Sequence, residues 1–332
     1  MSTPPALRVV FDTDTANEID DQFALAWALR APERIRLEAV HAAPFSHGTF
    51  FGALADAAAR RGGPATPFEE MAVRMGPGGV ARLLERIPVA ESEQRSYDEI
   101  LRVFEAAGVD PGDRVKRGAT SFMSGPDEPV EGEAVDHLIA LAKTASPEAP
   151  IHVATIGVPT NVASALLVDP AIAPNLHVIF LAGYPTGAGL PDDSFNLVQD
   201  RHASNVLFES EVPLLYVPGY QVAEVLQLAL PAAREWLEGR SRLAQYLFDT
   251  YTNNPIEPEP GTPGKSWVIW DIIATAWLIE PEWVPTRTVP RARVRADHTW
   301  EPVPDSRATM QEAYGARRNA IFGDLLARVT RD

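Results

Sequence analysis

The hydrophobic positions of this chain fall into two patterns, short unbroken apolar runs and longer segments in which apolar residues recur every three or four positions. The unbroken runs, rich in Val, Ile and Leu, predict buried strands. These predicted strands are Leu7–Phe11, Ile35–Ala42, Ile151–Ile156, Leu176–Ala182 and Leu214–Val217, with a further strand pair over Arg287–Val294. Apolar strands that alternate with helices belong to parallel sheets covered on both sides. We therefore predict an α/β fold with an open, mostly parallel sheet and helices on both faces.

The segments with helical periodicity lie between the predicted strands. They are Phe23–Leu29, which Pro32 ends, and Phe50–Arg61, Val80–Ile87, Tyr97–Ala107, Ala134–Lys143, Thr160–Leu167, His202–Glu209, Val222–Leu228, Arg234–Thr250, Trp267–Ile279 and Ala313–Arg328. Stretches rich in Gly and Pro predict loops, and these stretches are Gly62–Gly79, Gly118–Pro129 and Pro255–Pro263. Nothing in the pattern marks a second hydrophobic core, so we predict one domain over residues 1–332.

The composition narrows the possible partners. The chain has 332 residues, with 29 Lys plus Arg against 45 Asp plus Glu, a formal net charge of −16. This balance argues against a nucleic acid or an anionic membrane as a partner, because both attract basic surfaces. The sequence contains no Cys, which excludes disulfides, zinc–thiolate sites and thiol nucleophiles. Since the pattern shows neither a signal peptide nor an apolar run of the roughly 18 residues that a membrane span needs, we expect a soluble, cytoplasmic protein that acts on a small molecule.

A cluster of acidic and amide residues follows the first predicted strand. Six of them fall within ten positions: Asp12, Asp14, Asn17, Glu18, Asp20 and Asp21. Helix capping by Asn17 or Asp20 would account for one or two of them. It would not account for Asp12 and Asp14, whose carboxylates repel each other directly after a buried strand. In open parallel sheets ligands bind beyond the carboxyl ends of the strands, and an all-oxygen donor set favours calcium or magnesium over zinc. We therefore predict a divalent metal site here.

One interpretation of the cluster is a phosphatase. The segment Leu7–Thr15 matches the haloacid-dehalogenase-type pattern of an apolar strand followed by Asp-x-Asp-x-Thr. In that case Asp12 would be the nucleophile and Asp14 the general acid and base, with magnesium. That chemistry also needs a lysine near the phosphate, and none of the three lysines follows a strand convincingly; they are Lys116, Lys143 and Lys265. The phosphatase interpretation also leaves Asp20 and Asp21 without a role.

A second interpretation uses all of these acids. Four blocks of sequence, in the same order and over nearly the whole chain, resemble those of the inosine–uridine-preferring nucleoside hydrolases. The blocks are Asp12-Thr13-Asp14 with Asp20-Asp21 and an Ala/Leu-rich helix, then Ala154–Asn161, then Ser194-Phe195-Asn196, and finally Trp270-Asp271. The family has Gly-Pro-Leu-Thr-Asn, Glu-Phe-Asn and His-Asp-Pro at the last three places. On these blocks the chain is identified as a divergent member of that family.

The resemblance implies a calcium-dependent hydrolase that cleaves the N-ribosyl bond of a nucleoside to give ribose and a free base. It implies that the calcium is held by Asp14, Asp21, Asp271 and the carbonyl of Thr160 or of its neighbour Pro159. It also implies that Asp14 is the base that activates water. Ribose hydroxyls would contact Asp20, Asn196 and Asp271. The resemblance further implies a homodimer or homotetramer.

The chain departs from the family pattern in the acidic cluster and in the third block. Relative to the family, Asn17 and Glu18 belong to a two-residue insertion between Asp14 and Asp20. We expect both side chains to lie at the metal or the sugar. Ser194 stands where a ribose-binding Glu is expected, unless Asp192 or Asp193 takes that role.

Three further residues bear on the leaving group and on the site's edges. Trp270 replaces a His that protonates the leaving base in one branch of the family, and it could stack on a flat leaving group. His47 is the candidate for an acid that replaces this His. Asn161 is interpreted as a helix cap or turn residue. These departures leave two alternatives open: the same metal site acting on another riboside or sugar, and a non-catalytic sugar-binding protein.

Overall fold

A computed structural model describes residues 5–254, 265–303 and 308–331 of the chain. Within these ranges the strands are β1 (Leu7–Thr13), β2 (Ile35–Ala42), β3 (Val115–Lys116), β4 (Ile151–Thr155), β5 (Leu176–Ala182), β6 (Leu214–Pro218), β7 (Gln227–Ala229), β8 (Ser266–Val268), β9 (Thr286–Pro290), β10 (Ala292–Val294), β11 (Trp300–Pro302) and β12 (Thr309–Ala313). Eight of them form one sheet in the order β3-β2-β1-β4-β5-β6-β12-β9. Every pair in that sheet is parallel except β12 with β9.

Helices cover both faces of the sheet. They are α1 (Asp20–Leu29), α2 (His47–Arg61), α3 (Pro67–Arg86), α4 (Val89–Ala107), α5 (Glu133–Ala142), α6 (Thr160–Val168), α7 (Phe195–Val198), α8 (Arg201–Glu209), α9 (Leu230–Leu237), α10 (Arg242–Thr252), α11 (Ile272–Ile279) and α12 (Arg318–Val329). Val9 and Phe11 of β1 belong to the core with α1, α4, α10, α11 and α12, whereas Val10 belongs to the core with α2, α5, α6 and α8. This alternation places a buried core on each side of β1. The predicted fold class is confirmed.

The strand order reverses at β1, which pairs with β2 on one side and with β4 on the other. Such a reversal opens a crevice beyond the carboxyl ends of the two strands that flank it. The carbonyl of Asp12 accepts the N–H groups of Ile156 at 2.9 Å and Gly157 at 3.2 Å, which draws the end of β4 against β1. A Cβ atom at Gly157 would lie 2.9 Å from the backbone nitrogen of Asp14, so this close approach requires glycine.

The prediction of a loop over Gly62–Gly79 is wrong. Most of this stretch belongs to helix α3. Thr66 caps that helix by accepting the N–H of Glu69, and Pro67 occupies its first position, so the helix starts where the composition suggested a loop. The glycine and proline residues produce a break at Gly76, where φ is 66°, rather than an end.

The predicted helix Val222–Leu228 is wrong as well: the chain makes a short 3₁₀ turn at Ala223–Val225 and then enters β7. The single predicted helix Arg234–Thr250 is divided into α9 and α10, because Gly239 adopts a positive φ and Ser241 caps a new helix. The segment Trp267–Ile279 starts in β8, and its helix begins only at Ile272.

Near the C-terminus the two strands within Arg287–Val294 do not pair with each other. β9 pairs with β12, a strand that the sequence pattern did not predict, and β10 pairs with β11. The last helix begins at Arg318 rather than at Ala313, which ends β12. The predicted loop Pro255–Pro263 lies outside the described residues. None of the described helices is both long and apolar enough to cross a lipid bilayer.

Candidate functional site

The loop between β1 and α1, residues 14–19, is folded back by one of its own backbone hydrogen bonds and by side chains at the end of β1 and in the first turn of α1. The hydroxyl of Thr13, at the end of β1, donates to a carboxylate oxygen of Asp21 in the first turn of α1. The backbone N–H of Asn17 donates to the carbonyl of Asp14 at 2.7 Å, and the amide of Gln22 donates to the carbonyl of Thr15 at 2.7 Å. These bonds hold the acids of the loop and of the first turn in a buried position beyond the carboxyl end of β1.

Helix capping does not account for these acids. The residue at the N-cap position of α1 is Ile19, and no side chain caps that helix. Asp271 stands at the N-cap position of α11, but its side chain makes no capping hydrogen bond either. Helix capping therefore does not use the carboxylates of Asp20 and Asp271 or the amide of Asn17.

Three of the predicted site residues come together in space. One carboxylate oxygen each of Asp20, Asp21 and Asp271 lies within 4.8 Å of the others, and all three residues are buried. The packing of α1 against α11 produces this arrangement, and the hydroxyl of Thr275 on α11 fixes it by donating to the carbonyl of Ala24 on α1 at 3.0 Å. We call Asp20, Asp21 and Asp271 the carboxylate trio.

Asp14 and Glu18 belong to the same electrostatic cluster as the trio. Burial raises the pKa of Asp14 well above its usual range, and the charges of Asp21, Glu18 and Asp12 raise it further. Burial likewise raises the pKa of Asp271, with further contributions from Asp20, Asp21, Asp14 and Glu18. Because the neighbours that act on these groups are themselves carboxylates, the cluster cannot be fully ionised without a cation.

The other acids of the cluster show the same balance of burial and hydrogen bonding. Burial raises the pKa of Glu18 to about 8, although the indole N–H of Trp267 donates to its carboxylate and opposes the rise. Burial raises the pKa of Asp21 to about 6, against hydrogen bonds from Thr13 and Asp271. Burial also raises the pKa of Asp20 well above its usual range, and Glu18 and Asp21 add to the rise.

The residues present fit a hard divalent cation. One oxygen of Asp14, Oδ2, is buried and has no hydrogen-bond partner, and the amide oxygen of Asn17 is in the same condition. The donors are all oxygen atoms, which suits calcium or magnesium. The hydroxyl of Thr160 donates to Asp200 at 2.8 Å, so this side-chain oxygen is already engaged. The carbonyl of Pro159 is taken by the N–H of Ala163 at 2.9 Å.

Asn161 is neither a helix cap nor a turn residue, which corrects that interpretation. Its amide nitrogen donates to Asp12 Oδ1 at 2.8 Å and to the carbonyl of Ala42 at 3.1 Å. Its amide oxygen accepts the N–H of Ala119 at 2.8 Å. The side chain thus joins β1, the end of β2 and the loop after β3 at the floor of the crevice. Burial raises the pKa of Asp12 to about 7, against the hydrogen bond from Asn161.

The third sequence block lies at the carboxyl ends of β4 and β5. The amide nitrogen of Asn196 donates to the carbonyls of Ile156 at 2.6 Å and Leu181 at 3.1 Å, which fixes the start of α7 beside the crevice. Ser194, directly before α7, is buried, and its backbone N–H donates to the carboxylate of Asp192 at 3.0 Å.

Aromatic rings pack together beyond the carboxyl ends of β5 and β6. The ring of Trp270 meets Tyr220 edge to face with centroids 5.8 Å apart, and Tyr220 packs on Tyr184 at 4.4 Å. His47, the first residue of α2, packs against Phe195 with ring centroids 5.2 Å apart, next to the third block. Burial lowers the pKa of His47, so its ring is neutral near pH 7.

The fold and the site together define an α/β protein with a buried, all-oxygen donor set at the topological switch point of its sheet. Comparison with known proteins gives the family. The sequence model of the inosine-uridine preferring nucleoside hydrolases matches residues 74–315, and the chain belongs to that family. The matched stretch includes Thr160, Asn196 and Asp271, and it begins after the acidic loop. The family assignment made from four sequence blocks is confirmed.

Individual relatives are more distant. The non-specific ribonucleoside hydrolase RihC of Salmonella paratyphi B is 29% identical over 141 residues, which cover 40% of this chain and 42% of that protein. Among solved structures, the plant nucleoside hydrolase PpNRh1 superposes with a TM-score of 0.67 at 15% identity, covering 99% of this chain and 100% of that one. The purine-preferring ribonucleoside hydrolase of Gardnerella vaginalis gives 0.63 at 17% identity, covering 97% of this chain and 98% of that one. At these identities the structures show the shared fold.

Proposed function

We propose that this protein hydrolyses the N-glycosidic bond of a ribonucleoside, giving ribose and the free base, and that calcium is its metal. The observation that carries the proposal is the buried carboxylate trio next to Asp14, whose Oδ2 has no partner, at the switch point of a sheet of this family. The phosphatase alternative has less support, because Asp12, its nucleophile, is fully buried and held by Asn161.

The roles of the residues follow from their chemistry. Asp14, Asp21, Asp271 and the carbonyl of Thr160 would hold the cation, which supplies Lewis acidity that lowers the pKa of water in the site. Asp14 Oδ2, a buried oxygen without a hydrogen-bond partner, accepts a proton from the attacking water. The negative charge of the cluster stabilises the positive charge that develops on the sugar as the bond to the base breaks.

The sugar and the base would occupy the other side of the crevice. Asp20, Asn196 and Asp271 bind hydroxyl groups, and the carboxylate of Glu18, fixed by Trp267, lies close enough to act on the same cluster. Trp270 offers a ring face for a flat leaving group. His47 is neutral near pH 7 and contributes a hydrogen bond rather than a ready proton.

The test is reducing-sugar release from a panel of purine and pyrimidine ribosides, in calcium, in magnesium and after chelation. We expect release that depends on calcium and falls by about 10²–10⁴-fold in Asp14→Asn, the range for loss of a general base. Asp127→Asn, which changes an exposed carboxylate, is the matched control and keeps the wild-type rate. Release that survives chelation, or that is unchanged in Asp14→Asn, would contradict the mechanism.

The departures at Ser194, Trp270 and Glu18 are the reason to include ribosides with unusual aglycones and other pentosides in the panel. Cleavage of these alone would keep the chemistry and change the substrate. Calcium binding without release from any compound would favour a sugar-binding protein. The homodimer or homotetramer, the cytoplasmic location and the single domain stay predictions, and light scattering on the purified protein tests the first of them.

A further inference from the structure

The two residues inserted between Asp14 and Asp20 differ in what their side chains bind. The carboxylate of Glu18 accepts the indole N–H of Trp267 on β8. Asn17 is only 8% exposed, and its amide oxygen, Oδ1, is buried with no hydrogen-bond partner among the residues that the structure describes. Of the two inserted side chains, Asn17 therefore carries the oxygen that the hydrogen bonds of the protein leave unexplained.

A buried amide oxygen is unfavourable unless something binds it. Taking a polar atom out of water without a partner costs free energy, and such atoms in native proteins are met by a water, an ion or a ligand. Asn17 does not cap α1, because Ile19 stands at the N-cap position. Its backbone N–H is already bonded to the carbonyl of Asp14 at 2.7 Å. The amide oxygen thus has no structural use in the loop.

The fold of the loop keeps Asn17 next to Asp14. The hydrogen bond between their backbones closes a turn over residues 14–17, and Asp14 carries a second buried oxygen without a partner, Oδ2. Ala16 and Ile19 line an opening between α1, α4 and α10, whereas Asn17 is buried and is not part of that lining. The side chain of Asn17 is therefore directed into the protein, and one turn presents two unpartnered oxygens beside the carboxylate trio.

A neutral oxygen is the kind of donor that this cluster can still accommodate. Four other acids already act on the charge of Asp271. A further carboxylate would add to the repulsion, whereas an amide oxygen adds a ligand without adding a charge. Calcium takes about six to eight oxygen ligands, Asn side chains included, in a flexible shell, whereas magnesium demands an octahedral shell and keeps several waters. An added amide ligand therefore favours calcium over magnesium.

We propose that Asn17 Oδ1 is an additional ligand of the cation, supplied by the two-residue insertion, and that it makes the site prefer calcium to magnesium. This inference rests on the metal site of the proposed function, where it adds a fifth residue to Asp14, Asp21, Asp271 and Thr160. A hydrogen bond from a sugar hydroxyl is the other use of a buried acceptor, and the experiment separates the two.

The experiment measures ion binding rather than catalysis. Calcium and magnesium are titrated separately, by calorimetry, into metal-free wild-type protein and into two variants, Asn17→Ala and Asn17→Asp. The alanine variant keeps the backbone N–H that bonds to Asp14 and loses the amide. We expect it to raise the Kd for calcium by about tenfold or more, and the Kd for magnesium by less than about threefold. The aspartate variant keeps an oxygen at this position, and we expect it to bind calcium at least as tightly as the wild type.

A second measurement reports whether the oxygen is bound to the ion itself. Terbium occupies oxygen-donor calcium sites, and its luminescence lifetimes in H₂O and D₂O count the waters on the ion. We expect Asn17→Ala to add about one water, which takes the place of the amide. Asn319→Ala, which changes an exposed Asn on α12, is the matched control and alters neither the Kd values nor the water count. Because Asn17→Ala removes an oxygen that has no partner, the metal-free variant keeps its melting temperature within about 3 °C of the wild type.

Unchanged calcium affinity in Asn17→Ala, or weaker affinity with the same water count, would overturn the proposal. An equal loss for both ions would overturn the calcium preference. A raised KM for the riboside with unchanged calcium affinity would assign the oxygen to the sugar instead.

The failure of the proposed function is a separate result. If the wild type cleaves no riboside and Asn17→Ala still loses about tenfold in calcium affinity, the hydrolase proposal is defeated and this ligand stands. Wild-type protein that binds no calcium would overturn this ligand, whatever its activity on ribosides.

Discussion

The two sides of the crevice are held together in opposite ways. On one side, the carboxylate trio, Asp14 and Glu18 are buried among like charges that raise one another's pKa values. On the other side, Asp192 and Asn196 have their polar groups satisfied by backbone atoms. The first side holds buried like charges that a cation would neutralise, whereas the second is largely preformed. One site can thus combine a part that depends on a ligand with a part that the chain fixes by itself.

The largest effect is expected from removing Asn161, whose side chain joins β1, the end of β2 and the loop after β3. Asn161→Ala deletes three hydrogen bonds and leaves the carbonyl of Ala42, the N–H of Ala119 and one oxygen of Asp12 without partners in a buried position. We expect the free energy of unfolding to fall by about 2–4 kcal/mol, because buried polar groups lose their partners. Denaturant unfolding measures it; a change below about 0.5 kcal/mol would contradict the assigned role.

Calcium is expected to stabilise the acidic side of the crevice more than the side that carries Asp192 and Asn196. At a calcium concentration one hundred times the Kd we expect about 2.7 kcal/mol of added stability, since the ion binds only the folded state. Hydrogen exchange should slow in the acidic loop, residues 14–19, and in the first turns of α1 and α11, with little change over residues 192–196. Asp21→Asn should reduce the effect. Equal slowing of hydrogen exchange on both sides of the crevice would contradict this difference between the two sides.

A third test uses the pH dependence of the free energy of unfolding, to which His41 and the buried acids contribute with opposite signs. Burial lowers the pKa of His41 on β2 to about 3, whereas the unfolded chain titrates near 6.5. Between these values the unfolded state binds more protons, so stability is present above pH 6.5 and is lost as the pH falls toward 3. The buried carboxyls have raised pKa values and contribute with the opposite sign.

His41→Leu isolates the first contribution. We expect the variant's free energy of unfolding to fall less steeply between pH 6 and pH 4, by up to about 1.4 kcal/mol per pH unit for one proton. The slope is the measured quantity, because the substitution also changes packing against His137. Parallel pH profiles for the wild type and the variant would show that His41 does not carry this dependence.

Much of the fold and of the metal side could be predicted from the sequence because the signals there are local. The apolar run of β1 and the acids that follow it lie within 15 residues, Leu7 to Asp21, and Asp271 falls in a recognisable block. Strand β12 was missed because Thr309–Ala313 is half exposed and short, so its place in the sheet is set by distant partners in β6 and β9.

The substrate side could not be resolved in the same way. Asp192 accepts backbone N–H groups of Tyr184 and Ser194 beside Gly183, whereas the pKa of the adjacent Asp193 responds to Thr66 and Tyr220. The surroundings of these two acids therefore come from three separate parts of the chain. Asn161 was missed for a similar reason, since its partners lie on β1, at the end of β2 and after β3. The available signal was an Asn directly after the Thr that begins α6. The sequence pattern could not distinguish an Asn that joins several strands by hydrogen bonds from one that caps a helix.

The carboxylate trio has a consequence for how the protein is made. Asp21 and Asp271 are 271 − 21 = 250 positions apart in the chain. During synthesis the N-terminal acids leave the ribosome long before their partner, so the complete trio exists only after residue 271 has been translated and α11 has docked on α1. An ion held by the complete trio would therefore bind late in the protein's biogenesis, and it would link segments of the chain that are translated far apart in time.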